Sequence, residues 1–472
     1  MSFTRRDFLS LAAAVAVGKK NARADTVETL TVQSRILDVK GKPAKVFGIT
    51  NGSGKPGLNL VYGNPFDVHL ENRLTQETAI HWHCLTPPVE MDGVPMLAGP
   101  ILKPRQRRHY NFANRKAGTH WMHSHLGLQE QKLLAAPLII RETETPRNDD
   151  LEHVVMLHDF TFRDPAEILA ELKAGKGGHA MHTNMKAMDP SKTDGSMSDM
   201  PGMASMMGSD IKFDALLAND RTLDDPEVLS VDQGITLRLR IINGAAATNM
   251  WIDLGALSGQ LIAVDGNSIK PLTGSHFPLA IAQRADVRIK LPTEAGAWPI
   301  LFQSEGETLR ASLILRTSNA AISKISDQGA VGQLLDLAQE AQLVALAQEN
   351  EKPVSQREMV MLTGGVGNYE WGLNGKTMMH ETLFSVRQGA RVQVTFHNMT
   401  GMSHPMHIHG HYFKVVDING TAVNGAQRDT ILVPPDNMVT VQFDADNPGK
   451  WAFHCHHLYH MNSGMMASIA YA

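Results

Sequence analysis

The chain has 472 residues, 43% hydrophobic and 19% charged, too long for one ordinary domain and unlike a disordered or fibrous protein. Its formal net charge is −4, and −8 without residues 1–24; a mildly acidic chain argues against a nucleic-acid partner. The 2 cysteines, Cys84 and Cys455, rule out a disulfide-rich scaffold.

The N-terminus opens with Thr4-Arg5-Arg6-Asp7-Phe8-Leu9, a short apolar run from Ser10 to Gly18, and Ala22-Arg23-Ala24. Paired arginines, a stretch too short to span a bilayer and an Ala-x-Ala end read as a twin-arginine export signal over residues 1–24. Export by that route implies a periplasmic protein, and no later segment reads as a stable membrane insertion.

Three later segments alternate apolar and polar residues and end on Asn: Phe66 to Asn72, Leu237 to Asn243 and Val392 to Asn398. Each reads as a half-buried strand. Nine and eleven residues beyond Asn72 stand His81 and His83; the same offsets from Asn398 give His407 and His409, and from Asn243 give Ile252 and Leu254. A second set agrees. Gly118 leads by five to His123-Ser124-His125, Gly449 leads to His454-Cys455-His456, and Gly296 leads to Leu301-Phe302-Gln303. This is one unit repeated three times, with metal-ligand residues in the first and third copies only.

The boundaries that follow are 25–145, 146–318 and 356–472, joined by a linker over 319–355. Its Ala-, Leu-, Gln- and Glu-rich part, 332–349, is expected to be helical. Within the second unit, residues 178–208 hold eight of the chain's 25 methionines among Gly, Ser, Asp and Lys, with no sustained apolar face; this predicts a loop.

Four His-x-His pairs carry the chemistry: His81/His83, His123/His125, His407/His409 and His454/His456. On a strand, residues i and i+2 share a face, so each pair presents two imidazoles together. Cys455 lies between the last two and faces the opposite way. With His460 and Met465 it offers thiolate, imidazole and thioether, the soft set of blue copper electron-transfer sites. His409/His411 overlaps the third pair without a counterpart in the first repeat and receives no role.

Through His81-Trp82-His83, His123-Ser124-His125, His404-Pro405-Met406-His407-Ile408-His409 and His454-Cys455-His456 to Met465, the chain resembles three-domain multicopper oxidases, the group of laccases and bacterial cuprous oxidases. The resemblance covers the whole chain after the signal. It implies an all-β protein of three cupredoxin-like Greek-key β-sandwich domains and a cofactor of four copper ions. His404, Cys455, His460 and axial Met465 would bind the type 1 copper. His81 and His407 would bind the type 2 copper. His83, His123, His125, His409, His454 and His456 would bind the type 3 pair.

The implied reaction is four-electron reduction of O2 to water, fed one electron at a time through Cys455. Asp92 stands where similar enzymes have a buried carboxylate near the cluster, and is expected to donate protons or anchor a ligand. Met461 follows His460 where some relatives carry a relay acid, and Cys84 stands where Gly usually follows the first motif. Met402, with Met378 near the same edge, is the expected substrate contact; Thr400 stands where cuprous oxidases use an acid. The donor is expected to be Cu(I), with a small aromatic reductant as the laccase-type alternative. A non-catalytic copper-binding or structural protein is the alternative of another class. One chain holds every ligand, so a monomer is expected.

Overall fold

The computed structural model describes residues 27–95, 97, 99–143, 150–175, 208–318, 320–347, 352–377 and 381–472. The export signal, Met378 and all of the Met-rich segment but Gly208 lie outside them.

Among the described residues the strands form six sheets, which succeed one another in three pairs along the chain. The first pair has four strands in each sheet; the second has six and five; the third has seven and five. Each pair closes over its own apolar core. Leu30, Val68 and Tyr110 of one first-pair sheet meet Trp82, Met122 and Leu138 of the other. Leu239 and Val287 meet Ile252 and Phe302 in the second pair; Val394 and Val441 meet Met406 and Phe453 in the third. The expected all-β architecture of three sandwiches is therefore observed.

The strand before each repeated Asn has a common frame. Phe66–Asn72 runs parallel to Glu28–Val39, Thr236–Asn243 to Asp150–Phe160, and Arg391–Asn398 to Gln356–Gly365. The Asn itself is a pin. Asn72 Nδ2 donates to the carbonyls of Gln76 and Leu102, both at 2.9 Å, while its Oδ1 accepts from Leu74 N at 2.9 Å. Asn243 bonds Thr248 O, Leu279 O and Ala245 N in the same way. Asn398 bonds Met402 O, Val433 O and Thr400 N. All three side chains are buried. A buried amide with every bond made fixes the loop that follows, and hence the spacing to the ligand strand.

The expected helix over 332–349 does not form: its described part, to 347, holds one short 3₁₀ turn, Glu340–Gln342. Elsewhere this segment is tied down in extended form. Leu346 N donates to Ser268 O at 3.1 Å and Lys270 N to Val344 O at 2.8 Å, so it pairs with the outer strand of the second unit. Trp251 Nε1 holds Gln333 O at 2.9 Å. Tertiary pairing overrides the segment's helical propensity.

One unforeseen helix, Pro165–Lys173, starts on Asp164, whose Oδ1 accepts from Ala166 N at 2.8 Å, with Pro in the first turn. Its Ile168 and Leu172, with Ile211 and Phe213, join the core of the third sandwich. The two described ends that bracket 176–207 are therefore docked on the third unit. Gly175 packs by the Gly367 carbonyl, and Asp210 is hydrogen-bonded by the Tyr369 hydroxyl.

Candidate metal centres

Strand alternation creates two sites on opposite faces of one pair of strands. His404–Ile408 runs antiparallel to Lys450–Cys455, with Met406 opposite Cys455 and His407 opposite His454. His404, Met406 and Cys455 therefore share one face; His407 and His454 share the other. The first unit repeats the second face: Ile80–His83 pairs with Gly118–Ser124, and His81 lies opposite His123.

On the first face three donors converge. Cys455 Sγ lies 3.6 Å from His404 Nδ1 and 3.9 Å from His460 Nδ1, and the two nitrogens are 3.2 Å apart. Ligands at roughly 2.0–2.3 Å around one ion, tetrahedral to trigonal, would be about 3.3–3.9 Å apart, so the two sulfur–nitrogen sides fit a metal and the nitrogen pair is slightly closer. All three residues are fully buried. Burial pushes the Cys455 thiol up, so only a bound cation would hold it as thiolate. Burial likewise lowers His460, to about 3, and keeps its lone pair free. Met465 is fully buried, and its carbonyl accepts from Cys455 N at 3.0 Å, which ties it to the same turn.

On the second face the eight paired histidines meet, all buried. His81 and His409 ring centres are 3.9 Å apart, His83 and His407 4.0 Å, His123 and His456 4.9 Å, and His125 and His454 5.1 Å. Their outer nitrogens are engaged. His81 Nδ1 lies 3.0 Å from Asp92 O, His407 Nδ1 2.8 Å from Asp429 O, and His454 Nδ1 2.9 Å from Cys455 O. Carboxylates take three more: Asp92 Oδ2 and His409 Nδ1 at 2.8 Å, Glu130 Oε2 and His123 Nδ1 at 2.9 Å, Asp429 Oδ1 and His83 Nε2 at 3.0 Å.

A ring N–H facing a carbonyl must donate, which leaves a lone pair on the other nitrogen. Those other nitrogens point inward. His81 Nε2, His83 Nδ1, His123 Nε2 and His407 Nε2 have no hydrogen-bond partner among the described residues. The Nε2 of His454 faces those of His409 at 2.9 Å and His125 at 3.3 Å. Burial first, then repulsion among neighbouring rings, holds His125 and His409 well below the ordinary imidazole range. Neutral imidazoles with their lone pairs aimed at common points fit bound cations, and copper suits imidazole.

The expected residues beyond these sets are placed as follows. Asp92 is fully buried and touches two histidines. It ends a 3₁₀ turn, Val89–Met91, and the following Gly93 (φ 84°) is obligatory because a Cβ would stand 1.9 Å from Ile80 O. Thr400 Oγ1 lies 2.7 Å from His404 Nε2. Met402, expected at the substrate edge, is instead buried in the third core, since its carbonyl is drawn back to Asn398 Nδ2 at 2.7 Å. His411 is spent structurally between His409 O at 3.0 Å and the Tyr471 hydroxyl at 2.7 Å. Cys84 is buried at φ 75°, the backbone form that explains a Gly there, and its Sγ faces Asp265 O at 3.4 Å.

Four charged groups were missed. Glu130 meets His123, and its Oε1 lies 3.8 Å from His456 Nδ1. Asp210 Oδ2 lies 3.4 Å from His460 Nε2, on the side away from Cys455. Asp429 touches His83, and Arg284 forks onto Asp429 from the second unit. No short motif marks them, because their partners are up to 346 residues away in the chain. The signal available was a charged pair, Arg428-Asp429, set directly before the apolar strand Thr430–Val433.

Comparisons agree along the whole chain. Three family models described as multicopper oxidase match residues 31–145, 152–324 and 351–472. The chain is 28% identical to multicopper oxidase MmcO of Mycobacterium tuberculosis, over 94% of this chain and 86% of that protein. It is 26% identical to copper resistance protein A of Escherichia coli, over 99% and 95%. The solved structure of Fet3p, described as a multicopper oxidase that functions in iron import, superposes with a TM-score of 0.75 at 18% identity, over 94% of this chain and 90% of that one.

Proposed function

This chain belongs to the multicopper oxidase family, and on that premise we propose that it is an exported cuprous oxidase that couples Cu(I) oxidation to the reduction of O2 to water. Four Cu(I) ions each give one electron; with one O2 and four protons they yield four Cu(II) and two waters. The observation that carries the reading is the two-faced strand pair. Cys455, His404 and His460 converge on one side while His454 and His456, bonded neighbours of Cys455, project into the histidine cluster on the other. When bound, copper supplies one-electron chemistry at a type 1 site and O2 reduction at a three-copper cluster.

The residues divide the work. His404, Cys455, His460 and Met465 would hold the type 1 ion; His81 and His407 would hold the type 2 ion; His83, His123, His125, His409, His454 and His456 would hold the type 3 pair. Thr400 and Asp210 orient the two type 1 imidazoles from behind, and Asp92, Asp429 and Glu130 orient the cluster rings. The backbone between Cys455 and its neighbours is the electron path. Asp92, whose Oδ2 accepts from His409 Nδ1, anchors that ring and is the proton-donating residue of this reading.

Cu(I) as donor is supported by composition and anchorage. Thioethers prefer Cu(I), and the flanks of the Met-rich segment dock on the third sandwich, with Asp210 against His460. Similarity to copper resistance protein A points the same way. Oxidation of small aromatic donors is the second reading, favoured by 24% identity to Laccase-1 of Botryotinia fuckeliana over 92% of this chain. No helix among the described residues is long and apolar enough to cross a membrane, and the Arg5-Arg6 segment is the proposed export signal to the periplasm. A single chain supplies all donors, so a monomer suffices.

The test is O2 consumption with Cu(I) and with a phenol, for the whole chain and for one lacking residues 178–208. The deletion is expected to depress Cu(I) turnover and to spare or raise phenol turnover. Equal losses on both donors, or none on Cu(I), would remove the segment from the mechanism.

A further inference from the structure

The large apolar side chains left exposed include four methionines of one region: Met359 at 54%, Met361 at 38%, Met399 at 58% and Met438 at 37%. Three lie on the outer face of one sheet, and the fourth follows directly on one of its strands. In that sheet Met361 stands opposite His397, and His397 opposite Met438. One row across three adjacent strands thus reads thioether, imidazole, thioether. Met359 lies two residues before Met361 on the same face, and Met399 lies two residues after His397.

We propose that Met361, His397 and Met438, with Met399 beside them, form an external Cu(I) site that loads substrate ahead of the type 1 centre. Adjacent strands are about 4.8 Å apart and directly opposed Cβ atoms about 5 Å. Two flexible thioether arms and the ring between them can therefore close on one ion at metal–ligand distances of roughly 2.0–2.3 Å. The donor set selects the ion. Sulfur and imidazole suit soft Cu(I), and the row offers no carboxylate for a hard divalent cation. Its ends are neutral amides: Asn374 Oδ1 accepts from Met361 N, and Asn419 Oδ1 from Met438 N, both at 2.8 Å. His397 has no hydrogen-bond partner among the described residues, so its ring is free to ligate. Met359 and Met399 are more than half exposed, and none of the four belongs to the buried core of the third sandwich, so core packing does not explain them.

The row also leads somewhere. Met399 N donates to Leu362 O at 3.1 Å, which lays the next loop against the end of the Met361 strand. The following residue is Thr400, whose Oγ1 lies 2.7 Å from His404 Nε2. From His397 to Met399 the chain spans at most about 7 Å. An ion held by the row and passed to Met399 is thus one residue from the hydroxyl that touches a type 1 imidazole. The loading role rests on the cuprous oxidase reading; the metal site itself does not.

The test uses the copper-loaded enzyme and Ag(I), a redox-inert stand-in for Cu(I). Wild type is compared with the double variant Met361→Leu/Met438→Leu and with His397→Gln, exposed changes of similar volume that spare the core. Calorimetric titration is expected to show one Ag(I) fewer in each variant, with blue absorbance and phenol oxidation unchanged. For Cu(I), KM should rise about threefold or more at constant kcat, the mark of lost ground-state binding. Equal Ag(I) stoichiometry and affinity in all three proteins would overturn the site; an unchanged Cu(I) KM despite lost Ag(I) would overturn its loading role. A wild type that oxidises phenols but not Cu(I) would sink the cuprous oxidase reading instead, and the Ag(I) comparison would still decide the site.

Discussion

Asp92 meets two histidines with three atoms: its carbonyl lies 3.0 Å and its Oδ1 3.2 Å from His81 Nδ1, and its Oδ2 lies 2.8 Å from His409 Nδ1. Asp92→Asn keeps the backbone contact and one side-chain acceptor for His409, but can neither take up nor release a proton. O2 reduction should fall about ten- to a hundredfold, the usual effect of changing a group that orients a metal ligand. Blue absorbance should stay intact, because Cys455 lies on the other face of the strand pair. Full turnover at full copper content would end the role given to Asp92. This carboxylate was legible in the sequence only through its fixed distance from the first histidine motif. The histidines themselves were legible because strand period and repeat offset place them by local rules. Asp210 and Asp429 were not, since each reaches its imidazole only after separate units dock; Glu130 was not, since its contact with His123 depends on the turn that follows that strand and matches no strand period.

Elements read well where a period decides and poorly where an edge does. The three Asn-ended strands are as expected, and their Asn side chains explain why the offsets repeat. The described part of 332–349 is extended rather than helical because its helical composition competes with an open strand edge and with Glu305. That carboxylate accepts from Leu335 N at 2.6 Å and Asn249 Nδ2 at 2.7 Å, and so pins the linker to the second sandwich. Burial raises Glu305 to about 7 despite both hydrogen bonds. An acid raised above its unfolded value of 4.5 favours the folded state while protonated. Its contribution is complete below pH 4.5 and is lost as pH rises to about 7. The loss approaches about 3 kcal/mol at 1.36 kcal/mol per unit. Glu305→Gln cannot ionise, so its stability relative to wild type should climb across that window. Urea unfolding at pH 4.5, 6 and 8 measures the climb; parallel curves would show that Glu305 does not titrate in the folded protein.

The whole molecule is locked by a charge cluster where its three units meet. Arg284 of the second unit is fully buried. Its Nη1 donates to Asp429 Oδ1 of the third unit at 2.9 Å, its Nη2 to the other carboxylate oxygen, and its Nε to Thr119 O of the first at 3.2 Å. Arg428 extends the cluster to Asp265 at 3.2 Å and to Glu340 of the linker at 2.7 Å. Asp429 in turn holds His83 and, through its carbonyl, His407. The ligand-free middle unit therefore sets the geometry of a site to which it gives no ligand. Arg284→Met should destabilise the fold by about 3–5 kcal/mol, because it leaves a buried carboxylate without its partner. Its signature would be selective. Type 2 and type 3 copper should bind weakly, while the blue site, oriented by Thr400 and Asp210 instead, should still colour. Arg284→Lys keeps the charge but not the fork, and should fall between the two. Copper counting beside the blue absorbance separates these outcomes: a variant with full copper and an unchanged melting temperature would show that the interface does not depend on this arginine.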